Sequence, residues 1–447
     1  MTSQPLARVL RPGPRMLMTV RERLCRLVTW RRARAYALVL VALYVVAYVD
    51  VLVLGSMPLN SGGVPVAGDY IAFHTAARLI TSGHASEMYD HAAVVGVQDQ
   101  LLHGLTPGFY DAYRNPPFYA LIYTPLAGLD LLQGFVVWAV VSLACLGLAI
   151  KLLLDEVPSL RRRWVGVLIF VFAFAPVYFG LIDGENATVS LLLYVLIYRA
   201  FARGEDRALG IWAALGLFKP QLFLVFPLVF LITRRWRSLA TYALTALVLF
   251  AISFAVVGVD GMQAWLRVLV EHESGNALAN GWRMASAKSF FDALLPASAW
   301  GSFAAYAAVG LLSLIALARV WTRPNMDLRA AFVFTVLVAV LIDPHLVDYD
   351  LTVLVAAAVV GAALVPRLLW AIIPLYLVTM LRAQIPIAGA ANVQLAAPLL
   401  VCCAVVVYRK LGCLESKKSA DPITPEEAGK GARASFPNPA KVIQDVV

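Results

Sequence analysis

A chain of 447 residues that is 61% hydrophobic and only 14% charged departs from soluble domains, where roughly half the residues are apolar and roughly a quarter are charged. Its solvent is lipid. The formal net charge of +10 sits at the ends of apolar runs rather than in a stripe interleaved with aromatics, which argues against nucleic acid and for membrane topology.

In chain order, Arg8, Arg11, Arg15, Arg21, Arg23, Arg26, Arg31, Arg32 and Arg34 precede the first apolar run against one acid, Glu22. The positive-inside rule therefore holds segment 1–34 in the cytoplasm. Run 35–55 is too long for the apolar core of a signal peptide and reads as an uncleaved signal anchor. Further apolar runs cover 134–153, 164–181, 187–201, 208–218, 221–233, 239–259, 300–320, 330–341, 351–365, 368–381 and 395–408. With the first run they predict an all-α polytopic protein of about twelve crossings.

Basic clusters at Arg161 to Arg163, Arg203 with Arg207, Arg234 to Arg237, Arg319 with Arg323, Arg367, and Arg409 with Lys410 alternate with acidic or uncharged connections. The clusters go to the cytoplasm, as do both termini. A membrane domain over 35–410 results, with long extracytoplasmic loops at 56–115 and 260–299 and a disordered cytoplasmic tail at 411–447. Parity allows one net crossing between Asn115 and Lys151, so 116–126 reads as re-entrant or half-spanning. The short runs around Lys219-Pro220 read as a broken helix, because proline removes a backbone donor. Such breaks in membranes line protein cavities or water. Cys25, Cys145, Cys402, Cys403 and Cys413 show no metal-type spacing, and neither disulfides nor zinc are expected.

The first loop carries two helical patterns. In 69–80, Tyr70, Phe73, Ala77 and Ile80 share a face, the pattern of an amphipathic helix at the interface. After the break at Gly83, Asp90 stands as N-cap of a second helix over 91–102. Asp69 has two open readings, an N-cap like Asp90 or a carboxylate with chemistry to do.

Several short elements bear on that choice: Asp69-Tyr70, Ala76-Ala77, Gly83, Tyr89-Asp90, Asn115-Pro116-Pro117, Thr124-Pro125-Leu126, Gly184-Glu185-Asn186, Lys219-Pro220, Arg234-Arg235-Trp236-Arg237, Asp343-Pro344-His345 and Tyr349-Asp350. In this order and spacing the sequence resembles the polyprenyl-phosphate-mannose-dependent transferases of glycosyltransferase family eighty-seven. Glu185 departs from the glutamine of a Gly-Gln-Asn element. The resemblance implies the multi-spanning C-type glycosyltransferase fold and an inverting transfer of a sugar, mannose by that resemblance. The donor would be a polyprenyl phosphate and the acceptor a lipid or glycan hydroxyl, at the extracytoplasmic face of a bacterial inner membrane. It makes Asp69 the base. No cofactor or metal ion is expected beside the sugar donor, the acceptor and the bilayer.

Such a reaction releases a lipid phosphate, whose charge must be met by cations or hydrogen-bond donors. Lys219, His345, Arg283, Lys288 and Arg114 are the candidates. Lys219 stands out because a lysine inside an apolar stretch is costly; its bland alternative is snorkelling to the interface. Asp350, and with it Asp343 and Asp348, would bind hydroxyls or orient His345, or would simply end a solvated loop. Glu185 and Asn186 would bind the sugar or acceptor, or cap the following span. Asn115 would line the sugar site, while Trp265, Trp282, Arg283 and Lys288 also suit interfacial anchoring. Competing functions are a secondary transporter, which would show similar halves, and a lipid-linked glycan ligase or polymerase.

Overall fold

The computed structural model describes residues 30–53, 58–59, 65–66, 68–279, 283–324, 326–362, 368–381, 384–385 and 393–420. The expectations for most of the N-terminal arginines, for Trp282 and for the tail after Ala420 lie outside these residues.

Helices dominate, as the apolar runs predict. Among the described residues four are long and apolar enough to cross a bilayer: Arg31–Asp50, Leu131–Glu156, Trp236–Leu269 and Ala299–Trp321. A fifth span results if Trp164–Phe172 and Ala175–Ile182, bent by 64°, count as one. Pro220–Ile232, Leu328–Ile342 and Ala396–Arg409 are apolar but shorter. Length and composition therefore support fewer straight spans than about twelve, because breaks divide several runs into pieces too short for a hydrocarbon layer of roughly 30 Å.

The long helices turn rows of large apolar side chains outward: Leu38, Val39 and Leu43; Val136, Val137 and Val140; Leu244, Leu247 and Phe250; Leu311 and Leu312. Exposed apolar area this continuous suits a lipid environment. Inside this layer lie helices that are buried over most of their length. All of 330–341 is buried in Leu328–Ile342, which packs on Ala299–Trp321, Leu354–Gly361 and Ala396–Ala420. Ala187–Arg203 packs on Leu131–Glu156 and Asp206–Leu215. An all-apolar helix has no solvent face to present and goes to the interior.

Three expectations change. The helix Tyr70–Thr81 has no free polar face of the kind an amphipathic surface helix presents, since Tyr70 to Ala77 and Leu79 are all buried. Small residues on its nominally polar side, Ala72, Thr75 and Ala76 among them, let it sink against Leu121–Leu126 and the helix Leu131–Glu156. The second long loop is helical over much of its length, because Trp236–Ala279 continues past Gly258. That glycine, at φ 67° and ψ −168°, redirects the chain in a conformation that side chains exclude. Finally, helix Ala396–Ala420 runs past the boundary at 410. Segment 116–126 is a turn of α-helix, Pro117–Ala120, followed by the 3₁₀ segment Leu121–Leu126. At 1.5–2 Å per residue it is too short to cross. A small hairpin pairs Gln384–Ile385 with Val393–Gln394.

Candidate active site

Six segments converge on one cleft of about 220 Å³, lined among others by Asp69, Asp111, Arg114, Asn115, Glu185, Lys219, Trp265, His345, Tyr349 and Asp350. They are the head of the helix Tyr70–Thr81, the extended segment 111–116, the turn at Glu185, the helix break at Lys219, the stretch 265–269 of Trp236–Ala279 and the loop 343–350.

Asp69 occupies the N-cap position of its helix but makes no side-chain cap hydrogen bond. Asp90, on the next helix, does, accepting from Ala93 N at 2.9 Å. What meets the first helix instead is Asp183, whose carbonyl accepts from Tyr70 N at 3.0 Å. Gly68, at φ +36°, permits this approach, since a Cβ there would lie 2.9 Å from the Asp183 Cα. With helical φ and ψ of its own (−71°, −12°) and its carbonyl taking the Ala72 N–H, Asp69 leaves its carboxylate to the cleft, with Arg283 Nη2 at 3.5 Å. Its pKa is raised well above the usual carboxylate value, first by burial and then by the charges of Asp111, Glu185 and Asp183, against a lowering from Arg283.

The break at Lys219 (φ −128°, ψ 72°) falls between the 3₁₀ turn Gly216–Phe218 and Pro220, which opens the next helix. Asn115 Nδ2 donates to the Phe218 carbonyl at 3.0 Å, satisfying an acceptor that the break leaves over. Lys219 Nζ reaches inward to Asp350 Oδ1 at 2.6 Å and Glu185 Oε2 at 3.1 Å, and lies 4.7 Å from the Tyr349 ring centre. It does not snorkel: two buried carboxylates neutralise it and leave the triad one negative charge in excess. Glu185 Oε2 also accepts from Asn186 N at 3.1 Å. Asn186 is fully buried behind the cleft and makes no side-chain cap bond.

Pairing across a short bridge, Met284 with Val347, brings Arg283 to the site. Asp348 N donates to the Arg283 carbonyl at 3.0 Å and Ala285 N to that of Leu346 at 2.8 Å. Arg283 Nη2 binds Asp183 Oδ2 at 2.5 Å and its guanidinium stands 5.3 Å from the Tyr349 ring centre. His345 lines the cleft, its backbone N held by Asp343 Oδ1 at 2.8 Å. Burial, then the charges of Arg114 and Lys219, lower its pKa to about 4. At neutral pH it offers a neutral ring, hence an N–H rather than a positive charge.

Lys288 is not brought to the site; its Nζ pairs with Asp292 at 2.8 Å on its own helix. Trp265 is part of the cleft wall, donating from Nε1 to the Arg114 carbonyl at 3.1 Å. Two acids escape the sequence reading: Asp183, met above, and Asp111, which lines the cleft. Neither stands in a recognisable pattern, although their proximity to Gly184 and Asn115 is a signal in hindsight. Asp348-Tyr349-Asp350 is also an Asp-x-Asp pair, a sign of metal-bound nucleotide sugars. Here Asp350 is committed to Lys219, and among the described residues no group of three or more His, Cys, Asp or Glu side chains is placed to hold a metal ion.

Residues 113–347, more than half of the chain, match Glycosyltransferase family 87. The chain belongs to that family. Membership makes it a glycosyltransferase, set in a membrane by its apolar helices, and disfavours the transporter reading. The matched region contains Asn115, Glu185, Asn186, Lys219, Arg283 and His345, whereas Asp69 lies upstream of it and joins them only through the fold. No curated protein and no solved structure matches the chain at a significant level.

Proposed function

We propose that this glycosyltransferase moves a sugar, mannose by family resemblance, from a polyprenyl phosphate to a hydroxyl of a lipid or glycan at the extracytoplasmic face, with inversion. Asp69 is the base. Its freedom from capping, its place in the cleft and its raised proton affinity carry the reading. The burial and neighbouring carboxylates that raise its pKa strengthen Asp69 as acceptor of the hydroxyl proton.

In the reaction the acceptor oxygen attacks the anomeric carbon while Asp69 takes the hydroxyl proton. The bond from that carbon to the phosphate oxygen breaks, and the electron pair leaves with the polyprenyl phosphate. Arg114 and the His345 N–H face the cleft where the departing charge must be met. Lys219, bound to Glu185 and Asp350, holds the floor of the site in shape. The apolar wall of Trp265, Val268 and Leu269 suits the lipid part of the donor. The extracytoplasmic placement follows from the positive-inside argument.

The test uses membranes containing the full chain, labelled polyprenyl-phosphate-mannose and a lipid extract as acceptor. Asp69→Asn is expected to lower transfer by about a hundred- to ten-thousand-fold. Undiminished transfer by that variant refutes the base assignment.

A further inference from the structure

Asp111 touches no reacting group in the chemistry above, where only its charge acts on Asp69, yet the fold holds it firmly. The Gln98 side chain, fully buried, clamps its backbone on both sides, donating from Nε2 to the Asp111 carbonyl at 2.7 Å and accepting from its N–H at 2.9 Å. The next residues of the segment are pinned as well. Trp265 holds the Arg114 carbonyl at 3.1 Å, and Tyr89 donates to the Asn115 carbonyl at 2.7 Å. A carboxylate and a guanidinium three residues apart are thus presented to the cleft on one rigid piece of backbone.

Among the described residues the Asp111 carboxylate accepts no hydrogen bond, although it lines the cleft beside Asp69 and Arg114. Arg114 likewise has a buried Nε without a hydrogen-bond partner. A donor-free carboxylate next to an incompletely satisfied guanidinium matches a glycosyl phosphate, which presents hydroxyl donors and an anionic phosphate a few ångströms apart. Carboxylates accept from sugar hydroxyls at up to four lone-pair positions, and guanidinium binds phosphate oxygens in a fork.

We propose that Asp111 is a specificity-determining residue that accepts a hydrogen bond from a hydroxyl of the donor sugar, while Arg114 holds the donor's phosphate. The inference rests on the transfer reaction proposed above. Burial and the neighbouring acids raise the Asp111 pKa to about 6, against a lowering from Arg114, so the group is mainly an acceptor at neutral pH.

The experiment measures donor KM and kcat separately in membranes, with polyprenyl-phosphate-mannose and its 2-, 3-, 4- and 6-deoxy analogues, for the native chain and Asp111→Asn. The substitution keeps the shape of the side chain and the Gln98 clamp. Asp111→Asn is expected to raise the donor KM about ten- to a hundredfold, the loss of a charge-assisted hydrogen bond. One deoxy analogue should suffer a similar loss with the native chain and be nearly indifferent to the substitution. An unchanged donor KM, or equal sensitivity of every analogue to the substitution, overturns the proposal. The deoxy series on the native chain needs no variant to fold: four analogues all as good as the parent also overturn it. Asp69→Asn in the same membranes separates the two readings. Retained transfer there refutes the base while the KM comparison for Asp111 still decides this one.

Discussion

Replacing Lys219 by methionine removes the cation from between two buried carboxylates and keeps most of the side-chain volume. Lys219 Nζ stands 2.6 Å from Asp350 and 3.1 Å from Glu185, whose side chains are 3% and 7% exposed. At an effective dielectric constant near 20 each contact is a gross attraction of about 5–6 kcal/mol, much of which offsets the desolvation of the three groups. The net loss on removing the shared partner is about 3–5 kcal/mol, because two orphaned like charges remain. Glu185→Gln behaves differently. It leaves Lys219 with Asp350, a neutral pair, and exchanges one charged acceptor for a neutral one, a change of about 1 kcal/mol. Adding Glu185→Gln to Lys219→Met should therefore recover stability, since one stranded carboxylate remains instead of two. Thermal unfolding in detergent, followed by the fraction of monodisperse protein, ranks the variants. Lys219→Met as stable as the native chain, or Glu185→Gln the worse of the two, refutes the triad as described.

The acidic limb of the pH–rate profile should lie above the ordinary carboxylate range, because Asp69 must be ionised to act and its pKa is raised. Activity then falls as pH drops through that raised value. Asp111→Asn and Glu185→Gln each remove a negative charge that raises it, so the limb should move to lower pH in both; a limb that stays or moves up contradicts the assignment. Gly68→Ala should lower kcat and thermal stability together, since its Cβ would meet the Asp183 backbone at 2.9 Å on a residue at φ +36°. Lys288→Ala should leave donor KM unchanged, since among the described residues it pairs with Asp292 on the same helix, and a raised KM would return Lys288 to the site.

Much of the site is legible as residue types before it is legible as a place. Lys219 is conspicuous because a lysine beside proline in an apolar run has few bland explanations, and the break predicted there is observed. Its role is not legible, because whether a buried lysine waits for a ligand or is already neutralised depends on Glu185 and Asp350, distant in sequence. Local pattern also treats Asp69 and Asp90 alike. One caps its helix and the other does not, because Asp69 already has helical φ and ψ (−71°, −12°) and its own carbonyl takes the Ala72 N–H, the donor a cap would use, whereas Asp90 is extended.

What the sequence by itself determines is what depends on composition and local order: a lipid-embedded helical chain, the helix stop at Lys219-Pro220, the cap at Asp90 and the family whose elements it carries. These follow from transfer energies, proline stereochemistry and side chains reaching their own backbone, all effects with a range of a few residues. Only the tertiary structure decides which charges meet. It sinks the helix Tyr70–Thr81 into the core, divides apolar runs into pieces too short to span, removes Lys288 from the cleft and brings Asp111 into it. Electrostatic and packing energies act across a few ångströms of space, whatever the separation along the chain, and periodicity carries no record of them.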